Sequence, residues 1–461
     1  MSEWISGLMA VPGMGPGSGT TLTSPENKLL FKNVNIFDGK TNGLQIGMNL
    51  LVEHNKISQI SAQAIPANGA TEIEGQGMTL MPGMIDCHTH LAISGDFANL
   101  EENFTAGDLH VNATLHARYA LLDGFTSCRD VGGPTFGLKR AIDAGKIYGP
   151  RIYPSGAFIS QTSGHGDFRA WNDPNPSLSG NRYPSNFFRL GIGIVADGRD
   201  AVLAATRQNL MMGASQIKIM GGGGGSSKYD PIDTTQYTLD EMKAAVEAAE
   251  DWGTYVTAHI FTDKAIKRAL EAGLKCLEHG FFMSEEVIQQ VAEAGAFVCP
   301  QMWGMSPELF NNPNVPKSKH DAIKAMQEQY KNFAPWLVKY KVNVGFASDL
   351  LGPSDDGMKS RRYELWWRAQ AFGSNFEVLK QLTSKAGELL AMSGPRNPYL
   401  GKIGVIEEGA LADILIVDGN PLEDMKLLGG QDKWFTDLEP PQPIESLKVI
   451  MKDGVVYKNT L

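Results

Sequence analysis

From Leu29 to Met84 apolar and polar residues alternate in short runs, LLFKNVNIF, MNLLVEHNKISQIS and TEIEGQGMTLM, broken by the turn formers DGKTNG and PANG. This pattern predicts the strands of a small β unit. The same texture returns in ADILIVDGNP and LKVIMKDGVVYK, where Asp453-Gly454 between two apolar runs signals a hairpin. Both chain ends are therefore expected to build one β domain, over residues 29–80 plus 400–461, shaped as a β-sandwich. Residues 1–28, rich in Gly, Pro, Ser and Thr, are expected to form a flexible leader.

Between the ends, over residues 81–399, short apolar runs alternate with segments of helical period, the pattern of βα units. Eight strands are predicted, in TLMPGMID, FTSCRD, RIYPSG, QIKIMG, TYVTAH, KCLEHG, AFVCPQ and VNVGFASD, with helices in stretches such as TLDEMKAAVEAAEDWG and SEEVIQQVAEAGA. Eight such units predict an α/β protein with a closed (β/α)8 TIM barrel. The alternative is an open doubly wound sheet, but no Gly-x-Gly-x-x-Gly follows the first strand. The glycine run Gly221 to Gly225 lacks the Lys-Ser/Thr of a phosphate loop, and predicts backbone packed close to a site.

Composition narrows the function. With 42% hydrophobic and 20% charged residues the chain is an ordinary globular protein, and 41 basic against 51 acidic residues give a net charge of −10, which argues against a nucleic-acid partner. Cys87, Cys128, Cys276 and Cys299 form no Cys-x-x-Cys pair and are expected to be buried thiols. There is no apolar run long enough for a membrane span and no signal-peptide pattern, so a cytoplasmic location is expected unless the N-terminus is processed.

In a parallel barrel the strands deliver chemistry at their C-terminal ends. Strand one ends in Asp86-Cys87-His88-Thr89-His90, and a period of two puts His88 and His90 on one side with Cys87 and Thr89 facing the other way. His259 ends strand five, His279 strand six and Asp349 strand eight, a donor set that suits zinc and similar ions. On strand four, Ile217 and Ile219 should face the helices, which turns Lys218 inward. Burial and nearby cations would leave Lys218 a neutral amine able to take up carbon dioxide, and the resulting carbamate can bridge two divalent ions about 3.5–4 Å apart. His54, His110, His116 and His320 lie outside this set and are expected to be structural or exposed.

Together PGMIDCHTH, the lone Lys in IKIM, AH at 258–259, EHG at 278–280, ASD at 347–349 and GxxEEGxLADILIVDGNPL resemble the amidohydrolase superfamily from about residue 30 onward. SQTSGHGD at 160–167 and AGLKCLEHG resemble the branch that holds Xaa-Pro dipeptidase-like and carboxypeptidase-like enzymes, ochratoxinase and imidazolonepropionase-related hydrolases. The resemblance implies that His88 and His90 hold a first metal with Asp349, that His259 and His279 hold a second, and that carboxylated Lys218 bridges them. It also implies a homo-oligomer. Phe261 departs from the many relatives that carry a second His after strand five.

The expected activity is hydrolysis of an amide bond to a C-terminal amino acid in a small amide or peptide. Asp349 is the expected acid and base, His165 a hydrogen-bond donor to the developing oxyanion, and Tyr229 a second contact to the carbonyl. Phe261, Met302 and Trp303, with Phe281, Phe282, Met283 and Met305, are expected to give the substrate pocket apolar walls. Hydrolysis of another carbon–nitrogen bond, in a cyclic amide, urea or carbamate, is the competing enzymatic reading. A metal-stabilised binding protein is the non-enzymatic one.

Overall fold

A computed structural model describes residues 28–461 apart from 67–68, 94–96, 181–184, 228, 312–314, 350–353 and 435–441. Of the expected leader, 1–27 lies outside the described residues, and Lys28 already opens a strand.

The strands of the first β unit are β1 (Lys28–Ile36), β2 (Gln45–Glu53), β3 (Lys56–Ser61), β4 (Thr71–Glu74) and β5 (Thr79–Pro82). Far along the chain, β16 (Ile414–Val417), β17 (Leu447–Lys452) and β18 (Val455–Asn459) complete the same eight-stranded sheet, in the order β18-β17-β16-β5-β1-β2-β3, with β4 paired to β1. Asp453 and Gly454 take φ of 56° and 75°, the left-handed pair that a tight two-residue hairpin requires. Alternation decides which side each strand residue serves. Leu80, Ile414, Ile416 and Val449 enter a cluster held within the sheet unit, whereas Met81, Leu415, Val417 and Ile450 pack with Met84 and Phe125 of the next unit.

All eight expected βα strands are present: β6 (Met84–Thr89), β7 (Phe125–Asp130), β8 (Arg151–Pro154), β11 (Ile217–Met220), β12 (Val256–Thr262), β13 (Cys276–Phe282), β14 (Phe297–Cys299) and β15 (Asn343–Val344). Two short strands, β9 (Phe158–Ser160) and β10 (Gly193–Val195), were not expected, and they flank the long segment after β8. Pairing is parallel throughout, in a seven-stranded sheet β10-β9-β11-β12-β13-β14-β15 and a three-stranded sheet β6-β7-β8. Backbone bonds join the two sheets at both sides, from Cys87 N to Phe346 O (2.7 Å) and from Ser215 N to Pro154 O (2.8 Å).

Local sequence sets the helices between these strands. Thr238 and Glu241 form a reciprocal capping box at the start of Leu239–Asp251, and Ser284 caps Glu285–Glu293. Ile217 and Ile219 pack with Leu210, Met242 and Ala245 from two covering helices. Each such side chain gains about 1.5–3 kcal/mol on burial. Their alternation turns the intervening Lys218 to the other side, as the period-two pattern requires.

One expectation fails on β6. Cys87 does not face away from His88, because it clusters with Tyr255, Cys276 and Cys299 on the interior side of the strands. The β6–β7 register slips between Asp86 and Thr89, and such a bulge places consecutive side chains on one side. All four cysteines are buried and free.

Candidate metal centre

One pocket at the C-terminal ends of the parallel strands is lined by His88, His90, Lys218, His259, His279 and Asp349. His88 Nε2 lies 3.2 Å from His90 Nε2, and Asp349 Oδ1 lies 3.2 Å and 3.4 Å from these two nitrogens. Such spacing lets three donors share one cation. Across the pocket the His259 and His279 rings are 4.5 Å apart, and His279 is 5.0 Å from His88.

Each imidazole is oriented by a partner on its other nitrogen. His88 Nδ1 lies 2.7 Å from Glu278 Oε2, His279 Nδ1 2.5 Å from Gln301 Oε1, and His259 Nε2 3.1 Å from Gly223 O. With the N–H donated outward, the second nitrogen of each ring keeps its lone pair for a cation. Glu278 is itself held by Arg129 (2.5 Å) and by the Thr257 hydroxyl. Glu278 and Gln301, which hold two of the donor rings, were not singled out by the motif reading. Glu278 stands beside His279 in the EHG motif, and the signal was a carboxylate inside an apolar strand.

Backbone strain places two of the donors. His279 and Asp349 sit at φ of 68° and 51°, a region that non-glycine residues rarely occupy. The turn at His279 coincides with a register shift after Ile260 in the β12–β13 pairing, so Glu278 and His279 both reach interior partners although they are adjacent.

Burial drives the electrostatics. It lowers the Lys218 ammonium below its ordinary value, pushes His279 down to about 3, and holds His259 well below the usual imidazole range. Burial and Lys218 also act to lower His88, yet the Asp349 and Glu278 carboxylates outweigh them and raise it. These carboxylates thus demand positive charge among rings that are otherwise neutral, which a divalent cation would satisfy. The donor set therefore fits metal ions. All six residues named from the resemblance line this one pocket.

His165 lines the same pocket. Its ring stacks on His259 at 3.8 Å, its Nδ1 lies 2.9 Å from Ser227 Oγ, and burial pushes it down to about 3. Gly224 is required here, because a Cβ on it would lie 1.8 Å from His165 Nδ1. The glycine run thus packs against the site as expected.

Other expectations divide. Phe261, Phe281, Phe282 and Trp303 line the pocket, with Trp303 Nε1 donating to Ser348 O at 3.0 Å. Met302 does not line it, because the turn after β14 directs this side chain into the core beneath the helices, where it is 2% exposed. Met283 is also core and packs under Gly280, and Met305 packs against the same cluster. Tyr229 is 41% exposed and lies beside the Trp171 ring at 5.7 Å, outside the pocket lining. His116 is buried with Nδ1 3.0 Å from Leu91 O, and His320 Nε2 lies 3.1 Å from Val315 O, both structural roles.

Parallel strands alternating with helices, with a cluster of possible metal donors at their C-terminal ends, define the class of parallel α/β proteins that carry their sites at the strand ends. The amidohydrolase family matches residues 79–458, and the chain belongs to it, a family of hydrolases acting on carbon–nitrogen bonds. An ochratoxinase of Aspergillus niger is 31% identical over 364 residues, 76% of this chain and 72% of that protein. The crystal structure of a prolidase complexed with N-methylphosphonate-L-proline superposes with a TM-score of 0.82 at 31% identity, covering 94% of this chain and 100% of that one. A Xaa-Pro dipeptidase with methionine bound in its active site gives 0.78 at 27% identity, with coverage of 94% and 100%. Among the described residues no helix is long and apolar enough to cross a membrane.

Proposed function

We propose that the chain hydrolyses the amide bond to a C-terminal amino acid, as a carboxypeptidase, dipeptidase or N-acyl-amino-acid hydrolase using two divalent ions, zinc foremost. The reading includes a closed (β/α)8 barrel over 81–399 and a β-sandwich domain from 29–80 plus 400–461. The observation that carries it is the meeting of six donor residues from five strands in one pocket with an aromatic wall. Relatives with proline-like and methionine ligands point to the same substrate class.

His88, His90 and Asp349 would hold one ion, His259 and His279 the other, and Lys218, carboxylated, would bridge them. Such a pair lowers the pKa of bound water toward about 7 and polarises a carbonyl. Asp349 takes the proton of the attacking water and returns it to the leaving amine, which must be protonated to depart. His165 Nδ1 meets Ser227 Oγ at 2.9 Å, and a ring proton on Nε2 would be available to the developing oxyanion. Phe261, Phe281 and Trp303 favour an apolar side chain beside the scissile bond.

The test is kcat/KM on metal-replete enzyme for N-acyl derivatives of phenylalanine, proline, lysine and aspartate, with ureas, carbamates and cyclic amides alongside. Phenylalanine or proline derivatives should lead. A preference of about tenfold or more for lysine or aspartate, about 1.4 kcal/mol in the transition state, removes the apolar-pocket reading. Turnover confined to ureas, carbamates or cyclic amides removes the proposed reaction.

A further inference from the structure

A substrate that ends in a free amino acid brings an α-carboxylate into the pocket. Among the described residues the charged groups lining the pocket are the donor cage itself, Lys218, Asp349 and the imidazoles, so a cation beside the cage would be the carboxylate's partner. Val315 and Ile323 both line the apolar wall, and Lys319 stands four residues from each. It ends the turn Lys317–Lys319 and precedes the helix His320–Gln329, so Lys319 and Ile323 lie one above the other.

The Lys319 ammonium is fixed against the glycine run at Gly224, and the next residue, Gly225, lines the pocket. Its Nζ lies 2.6 Å from Gly224 O and 2.9 Å from Asp230 O, both neutral carbonyls. An ammonium has three N–H donors, so one remains for a ligand. Gly224 in turn abuts His165, which stacks on His259. Lys319 is thus linked to the donor cage through one glycine and one imidazole. The Asp230 carboxylate lies close enough to act on this charge; its Oδ2 accepts from Gly224 N at 2.9 Å and from Gln236 Nε2 at 3.1 Å, and its Oδ1 is buried without a hydrogen-bond partner among the described residues.

We propose that Lys319 binds the α-carboxylate of the substrate and so makes the enzyme selective for amides of free amino acids. This rests on the amide-hydrolase reading above. In an N-acyl amino acid a single Cα separates the scissile nitrogen from the carboxylate, so an anchor beside the cage sets which carbonyl is presented to it. Lys319 is a specificity residue in this account and takes no part in proton transfer.

The experiment compares N-acetyl-phenylalanine with N-acetyl-phenylalaninamide, reading release of the free amine, in the wild type, Lys319→Gln and Lys319→Arg holoenzymes. The wild type should prefer the acid by about tenfold or more, and Lys319→Gln should lose about tenfold on the acid, chiefly in KM, with less than about threefold change on the amide. Lys319→Arg should keep the preference for the acid. Equal loss on both substrates would assign Lys319 to propping the glycine run and overturn the proposal, as would no loss on either. If Lys319→Gln does not fold, inhibition of the wild type decides: phenylalanine should bind about tenfold more tightly than phenylalaninamide, and equal inhibition refutes the anchor. A wild type that cleaves neither compound overturns the reading of the chain as an N-acyl-amino-acid hydrolase and the anchor with it. A wild type that cleaves the acid while Lys319→Gln matches it overturns the anchor alone.

Discussion

The pocket is built from two kinds of wall. On one side stand strand ends, where His88, His90, Lys218, His259 and His279 emerge from paired backbone with partners such as Glu278 and Gln301 behind the rings. On the other side stand irregular segments, where His165 is placed by a turn after β9 and Trp303 by a turn after β14. Strand ends fix donors to the fraction of an ångström that a shared cation demands, while loops tolerate exchange of the residues that meet the substrate. In the proposed reaction, chemistry and specificity would thus be carried by different parts of the chain. Tyr229 marks the boundary, since one loop places it beside Trp171 at the surface while Ser227, two residues earlier, is buried against His165.

The sharpest way to break this division is Lys218→Ala. On the proposed reading, loss of Lys218 should cost about a thousandfold or more in kcat/KM, a value of several kcal/mol. Added short carboxylic acids should restore part of it by taking the place of the carbamate. Turnover within about tenfold of wild type would mean that the strand-borne cage does not carry the chemistry.

Glu278→Gln probes whether the support behind the cage matters. Its buried carboxylate orients His88 and balances Arg129, so the variant should lose about 10–100-fold in metal affinity or activity. Circular dichroism separates this from unfolding. A folded variant with unchanged metal affinity and turnover would reduce Glu278 to a buried counter-ion.

The smallest effect is expected from the loop side. Tyr229→Phe removes a hydroxyl from an exposed ring and should change kcat/KM by less than about threefold, within the range of ordinary surface substitutions. A loss of about a hundredfold would bring Tyr229 into contact with the reacting carbonyl and erase the distinction between the two loop residues.

Legibility in the sequence followed the same division. Period-two alternation placed Lys218 between Ile217 and Ile219, and all eight βα strands were readable because each apolar run was followed by a helical period. The same rule misplaced Cys87, because a register shift is a pairing event between two strands and leaves no mark on one of them alone. Glu278 was hidden for a related reason: its worth depends on Arg129 and His88, distant in sequence. β9 and β10 were missed because each spans three residues at the ends of a segment rich in Gly, Asp and Asn, too short to show a period. Met302 was placed in the pocket because, like Trp303, it follows the seventh βα strand, and only the turn geometry separates the two side chains.

The central claim is that one cage holds two ions bridged by a modified Lys218. Elemental analysis of protein reconstituted with excess zinc and bicarbonate, paired with electron density at Lys218, tests it most directly. Two metals per chain and a carbamate on the Lys218 amine are the predicted result. One metal or fewer per chain, or an unmodified Lys218 in a metal-loaded and active enzyme, would contradict it.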